Sequence, residues 1–216
     1  MTKFDIRKSM LLYAVTDSAR LGERTLTEVC EDVLRNGATF LQLREKALHG
    51  EELLPLAREL KALCGRYSVP FVVDDDVEAA LACGADGVHV GQSDIRGRDI
   101  RAIIGPDKIL GISANTVEAA VAAQAAGADY IGVGAVFGTA TKQNASNITV
   151  EQLRVICDAV DIPVVAIGGI SETNLPQLAD SGIDGVAVVS AIFGQTDPGT
   201  ATARLLTLVK EVVNHG

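Results

Sequence analysis

Aromatic residues are scarce in this chain, at 4%, and tryptophan is absent. No stretch approaches the ~18 consecutive apolar residues of a membrane span. The apolar run Met10 to Val15 is too short for the core of a signal peptide. Positive charge is also in deficit: 19 Lys and Arg stand against 28 Asp and Glu, a formal net charge of -9. That balance argues against nucleic acid or an anionic membrane as the main partner. It leaves room for a small phosphorylated substrate, which needs only local cations. The four cysteines, Cys30, Cys64, Cys83 and Cys157, show no CxxC or His-linked spacing. Each lies in a helical pattern or at its end, so they read as small buried residues rather than metal ligands or disulfide partners. Together these absences predict a soluble, cytoplasmic protein.

Glycine, by contrast, is abundant, with 21 among 216 residues, and 48% of the chain is hydrophobic. This suits one domain over 1–216 with a large core and many tight turns. Short apolar runs alternate with helical periodicity along the whole length. Strands are predicted at Leu11 to Val15, Thr39 to Leu43, Phe71 to Val73, Gly87 to Val90, Ile109 to Ile112, Tyr130 to Val133, Pro163 to Ile167 and Gly185 to Val189. Helices are predicted between them, including Gly50 to Tyr67 and Glu172 to Asp180, with a last one at Thr200 to Val213. A short motif also recurs before strands: Asn36-Gly37-Ala38, Gly84-Ala85-Asp86, Gly127-Ala128-Asp129 and Gly182-Ile183-Asp184. Each looks like the same joint, a glycine closing a helix and a short link entering the next strand. About eight strand–helix pairs without a break predict an α/β fold, a (β/α)8 TIM barrel. An open doubly wound sheet is the alternative.

In a barrel of this kind the functional groups gather where the strands end. The sequence places Gln42, Arg44 and Lys46 after the second strand, on one face by period two. Asp74, Asp75 and Asp76 follow the third strand, and Gln92 and Asp94 the fourth. Ser113 and Asn115 follow the fifth, Thr139, Thr141 and Lys142 the sixth, Gly168 and Gly169 the seventh, and Ser190 the eighth. The opposite ends carry mainly Gly, Ala, Pro and single charges. Asp75 and Asp94 suit a hard cation such as Mg²⁺, which takes one or two carboxylates plus substrate phosphates. Asp76 suits a helix cap. Arg44, Lys46 and Lys142 suit phosphate oxygens. The Gly-Gly pair with Ser190 suits a second phosphate. His89, opposite Val88 and Val90 in its strand, points inward as a hydrogen-bonded interior histidine, with a general base as the alternative. No nucleophile–base pair and no strand lysine stands out. The chemistry indicated is loss of a pyrophosphate under electrostatic catalysis.

These residues resemble the thiamine-phosphate synthase family over nearly the whole chain. The resemblance is carried by Tyr13-Ala14-Val15-Thr16-Asp17, Gln42-Leu43-Arg44-Glu45-Lys46, Asp75-Asp76-Val77, Gly87 to Asp94, Gly111-Ile112-Ser113, Thr139-Ala140-Thr141-Lys142 and Ala166 to Ile170. It implies that a hydroxymethylpyrimidine pyrophosphate joins a thiazole phosphate, or its carboxylated precursor, with Mg²⁺ required and pyrophosphate released first. It also implies that Asp75 and Asp94 bind Mg²⁺. Gln42, Arg44, Lys46, Ser113 and Lys142 would hold the pyrimidine pyrophosphate, with Arg44, Lys46, Ser113 and Lys142 serving catalysis. Thr139, Thr141, Gly169, Val189 and Ser190 would hold the thiazole phosphate. A homo-oligomer is a family-level expectation.

Two departures stand out. Asp74 occupies a position where the family usually has Asn, adding a carboxylate that repels pyrophosphate unless neutralised. It is therefore counted among the substrate-binding residues and expected to shift metal or substrate affinity. The loop Gln143 to Thr149 is shorter than usual and lacks an expected glycine. Two rivals remain: a thiazole tautomerase, which looks to a His near Asn115, and a non-catalytic sensor of a phosphorylated ligand. Neither has reason to keep Lys46, Asp75, Asp94 and Lys142 together.

Overall fold

The computed structural model describes residues 4–92, 97–138 and 148–213. Among these, eight short strands pair in sequence order and close into one parallel barrel. They are β1 Leu12–Val15, β2 Phe40–Leu43, β3 Phe71–Asp74, β4 Gly87–Val90, β5 Ile109–Ser113, β6 Tyr130–Val133, β7 Val164–Ile167 and β8 Gly185–Val188. β1 closes on β8 with Tyr13 opposite Ala187. The predicted barrel is therefore the fold, and the open sheet is excluded. A short α1, Ile6–Ser9, precedes β1. The crossovers are α2 Leu26–Arg35, α3 Leu54–Tyr67, α4 Val77–Ala82, α5 Ile100–Ile104, α6 Val117–Ala125 and α7 Val150–Asp158. After β8 come α8 Ser190–Phe193 and α9 Pro198–Val213. Thr25 with Glu28, and Thr149 with Gln152, form reciprocal capping boxes that start α2 and α7.

One predicted helix is not formed. Between β7 and β8 the span Glu172 to Asp180 contains only a 3-10 turn, Leu175–Leu178. Pro176 lies inside it, and proline has no N–H to continue a helical ladder. The span Gly50 to Tyr67 is likewise divided into a 3-10 turn, Gly50–Glu52, and α3. Cys30, Cys64 and Cys83 are buried free thiols as expected, whereas Cys157 is only half-buried. Burial pushes the Cys64 thiol up to about 12. No described helix is long and apolar enough to cross a membrane.

Two apolar cores result. The larger lies between the sheet and its helices. The smaller fills the barrel interior with Met10, Tyr13, Val15, Phe40, Val72, Ile109, Tyr130, Val165 and Ala187. Three aromatic rings pack together there: those of Tyr13 and Phe40 lie 4.5 Å apart, and those of Phe40 and Tyr130 5.6 Å apart. They form a floor beneath the strand C-termini.

The recurring joint has a defined chemistry. Asp86 donates its N–H to the Phe71 carbonyl (2.8 Å), and its Oδ2 accepts the Phe71 N–H (3.0 Å). Asp129 clamps Leu110, and Asp184 clamps Val164, in the same two-bond manner. Thr39 does so to Leu12 with its hydroxyl. A cation backs each aspartate: Lys61 on Asp86, Arg101 on Asp129 and Arg7 on Asp184. Asp86→Ala removes the acceptor of a backbone N–H and of Lys61. We expect a loss of about 2 kcal/mol, read as a fall in Tm of roughly 4–8 °C. An unchanged Tm would contradict the clamp.

Candidate active site

All eight strands contribute to a cavity of about 270 Å³ at their C-terminal ends. Its polar wall is made by Gln42, Arg44, Asp74, His89 and Ser113. Its far wall is made by Gly168, Gly169, Ile170, Val188, Val189 and Ser190. A second, open pocket adjoins it at the rim, lined by Arg44, Glu45, Lys46, His49, Asp74, Asp75, Asp76 and Glu78. Arg44 and Asp74 line both.

The structure thus brings together Gln42, Arg44, Asp74, Ser113, Gly169, Val189 and Ser190 around one space. Lys46 lines the rim pocket with Arg44 and Asp75. β2 ends at Leu43, so period-two alternation does not reach it, and Lys46 lies exposed at the rim rather than in the cavity. Asp75 is also at the rim. Asp94, Thr139, Thr141 and Lys142, with the loop from Gln143 to Asn147, lie outside the described residues.

The extra carboxylate at position 74 is neutralised by its neighbours. Arg44 Nε lies 3.5 Å from Asp74 Oδ2, and the Gln42 amide donates to Asp74 Oδ1. Gln42, itself buried, accepts from the Tyr13 hydroxyl through Oε1 at 2.6 Å. Tyr13 and Tyr130 hydroxyls meet at 2.8 Å. His89 Nδ1 lies 3.0 Å from the Tyr130 hydroxyl, and its Nε2 lies 3.0 Å from Ser113 Oγ. His89 is thus the hydrogen-bonded interior histidine expected. Burial raises both phenols well above their ordinary pKa, so they stay protonated.

Sequence reasoning missed Tyr13 and Tyr130 because each sits in an apolar strand. Their hydroxyls were the available signal, since a buried phenol requires a partner. Gly111 was a second. A Cβ there would fall against the Tyr130 hydroxyl and His89 Nδ1, so the absent side chain makes room for that contact. Gly169 has a comparable constraint. Its φ is +67°, and a Cβ would strike the carbonyl oxygens of Phe137 and Gly138 in the segment after β6.

The rim chemistry suits a hard cation. Asp76 caps α4 by accepting from Ala79 N–H at 2.8 Å, as anticipated. Asp75 is exposed, holds φ +58°, and accepts the Gly91 N–H at 3.3 Å. Among the described residues no group of three or more His, Cys, Asp or Glu could hold a metal ion. Mg²⁺ does not need one, because one or two carboxylates with waters and phosphates complete its shell. Asn115, where the tautomerase rival looks to a histidine, accepts the Gly134 N–H at 3.2 Å.

Comparison with known proteins agrees with this geometry. Residues 12–192 match the family profile described as thiamine monophosphate synthase. The chain belongs to that family. It is 45% identical over 200 residues to the thiamine-phosphate synthase of Clostridium tetani, covering 93% of this chain and 96% of the relative. It is 48% identical over 197 residues to that of Ruminiclostridium cellulolyticum, covering 91% and 94%. Among solved structures, thiamine phosphate pyrophosphorylase from Pyrococcus furiosus superposes with a TM-score of 0.88 at 39% identity, covering 97% of this chain and all of that one. Members of the thiamine monophosphate synthase family thus match both the sequence and the barrel across almost their full lengths.

Proposed function

We propose that the cavity holds the two rings joined in thiamine phosphate and that the rim pocket holds the pyrophosphate that leaves. The chain is a transferase, a thiamine-phosphate synthase acting on small phosphorylated substrates. Its substrates in this reading are 4-amino-2-methyl-5-hydroxymethylpyrimidine pyrophosphate and a thiazole phosphate or its carboxylated precursor. The observation that carries the assignment of sites is the shared wall. Arg44 and Asp74 face both spaces, so a ligand with its ring in the cavity and its charged tail at the rim must pass Arg44.

The pyrimidine C–O bond breaks first, and its electron pair leaves with the pyrophosphate. Arg44, Lys46 and Lys142 oppose the charge that develops on the leaving oxygens. The thiazole nitrogen then captures the pyrimidine cation and forms the new C–N bond. Gln42 and Ser113 hold the pyrimidine. Thr139, Thr141, Gly169, Val189 and Ser190 hold the thiazole phosphate. Asp75 and Asp94 would hold Mg²⁺, which when bound supplies countercharge to the pyrophosphate. Capture by a nitrogen lone pair needs no general base, in keeping with a His89 whose two ring nitrogens both have partners within the barrel.

The test is turnover. With both substrates and Mg²⁺ the chain is expected to form thiamine phosphate. Asp75→Ala and Asp94→Ala should each slow it by about a hundredfold or more, while thiazole phosphate still binds. Thiazole phosphate binding without product would favour the sensor rival. Full activity in Asp75→Ala would remove the rim from the mechanism.

A further inference from the structure

A row of six side chains crosses the barrel from the rim to Ser113: Asp74, Gln42, Tyr13, Tyr130, His89 and Ser113. The direction of every bond follows from one end. The Asp74 carboxylate, ion-paired to Arg44, only accepts. Its Oδ2 faces Arg44 and its Oδ1 faces Gln42. The Gln42 atom set against it is therefore the amide nitrogen, which turns Oε1 to Tyr13. Tyr13 has one hydroxyl proton and gives it to Oε1 at 2.6 Å. The 2.8 Å contact between the phenols then runs from Tyr130 to Tyr13. With its proton committed, Tyr130 accepts from His89 Nδ1. A neutral imidazole carries one proton, so Nε2 is bare and the Ser113 hydroxyl donates to it.

We propose that Asp74 is a positioning residue that sets the direction of this row, so that Ser113 offers lone pairs rather than a proton to whatever occupies the cavity. The matching ligand group is a hydrogen-bond donor, an amine rather than a phosphate oxygen. Within the proposed function, on which this last step rests, Ser113 then meets the amino-bearing pyrimidine and not its pyrophosphate tail.

The case for a carboxylate at this point is a count of oxygens. Asp74 serves Arg44 with one and Gln42 with the other. An asparagine has a single oxygen. If that oxygen serves Arg44, the amide nitrogen faces Gln42, and Gln42 must turn over. Every later bond then reverses: Tyr13 donates to Tyr130, Tyr130 to His89 Nδ1, and His89 Nε2 to Ser113. The floor is built to transmit the choice. Tyr13 and Tyr130 are 1% and 0% exposed, so water does not interrupt the row there. Gly111 leaves the gap through which Tyr130 and His89 touch.

The experiment reads the His89 tautomer by NMR in the substrate-free chain labelled with ¹⁵N-histidine, at about pH 8 where an ordinary imidazole is neutral. The sequence has only three histidines, so His49→Gln and His215→Gln assign the signals. The wild type should show a protonated Nδ1 and a bare Nε2. Asp74→Asn should shift the proton to Nε2 or populate both tautomers. Tyr13→Phe cuts the row between Gln42 and Tyr130, so adding Asp74→Asn to Tyr13→Phe should leave the His89 signals where Tyr13→Phe alone puts them. A wild-type His89 with bare Nδ1, unchanged signals in Asp74→Asn, or a response that survives Tyr13→Phe would each overturn the proposal. Because no substrate is present, these results stand apart from whether thiamine phosphate is formed.

Discussion

Arg44→Ala is expected to lower kcat/KM by about 10²–10³-fold, with most of the loss in the KM for the pyrimidine pyrophosphate. The rim pocket carries five acidic side chains, Glu45, Asp74, Asp75, Asp76 and Glu78, against the cations Arg44 and Lys46. A pyrophosphate approaching that surface depends on those cations. Removing Arg44 also removes a cation paired with Asp74, so that carboxylate repels the incoming anion more strongly. The two effects act in the same direction. Arg44→Lys should recover part of the loss, because Lys restores charge but not the planar fork that can serve Asp74 and phosphate together. Steady-state kinetics with each substrate varied in turn would separate the effects. An Arg44→Ala enzyme with an unaltered KM for the pyrimidine substrate would place the pyrophosphate elsewhere.

The second large effect is expected at Gly169. Valine there must adopt φ +67° and set its Cβ against the Phe137 and Gly138 carbonyl oxygens. For a β-branched residue that backbone is strained, and the backbone it strikes cannot rotate away as a side chain could. We expect a loss of about 3 kcal/mol and a fall in Tm of roughly 6–12 °C. The segment after β6 is hydrogen-bonded to this turn through Phe137 N–H to the Gly168 carbonyl at 3.0 Å. Displacing it should weaken thiazole phosphate binding by at least about tenfold. Isothermal titration with the thiazole phosphate and a thermal melt of the same sample test both parts. Wild-type affinity in a destabilised Gly169→Val would mean the turn supports the fold without holding the phosphate.

The barrel was legible because its joints repeat. Asp86, Asp129 and Asp184 follow the same glycine spacing, and the structure shows all three making the same pair of bonds. What escaped the sequence was local competition. Pro176 reduced a periodic segment to one 3-10 turn. The four-residue helices Ile6–Ser9 and Ser190–Phe193 were too short to show a period. In the site, residues at strand ends were found because strand ends are where a barrel collects polar groups. Tyr13 and Tyr130 escaped because they lie lower in their strands, where an apolar neighbourhood hides a hydroxyl. Lys46 was grouped with Gln42 and Arg44 by an alternation that does not extend beyond the end of β2, and it lies beside Arg44 at the rim. Asp74 was recognised as a problem. Its resolution by Gln42 and Arg44 required the third dimension, since the partners are 32 and 30 residues away in the chain.

The aspartate clamps lie at the end of the barrel opposite the cavity. Each ties a strand to the one that follows it, so the ring is laced shut at its base while its mouth is left to the loops. Inheritance can act on the two ends separately. A lineage that altered the mouth could explore other ligands while the base kept the ring closed, and a lineage that altered the base would lose stability without gaining a new ligand. A chain of this size can thereby hold its architecture fixed while its chemistry drifts.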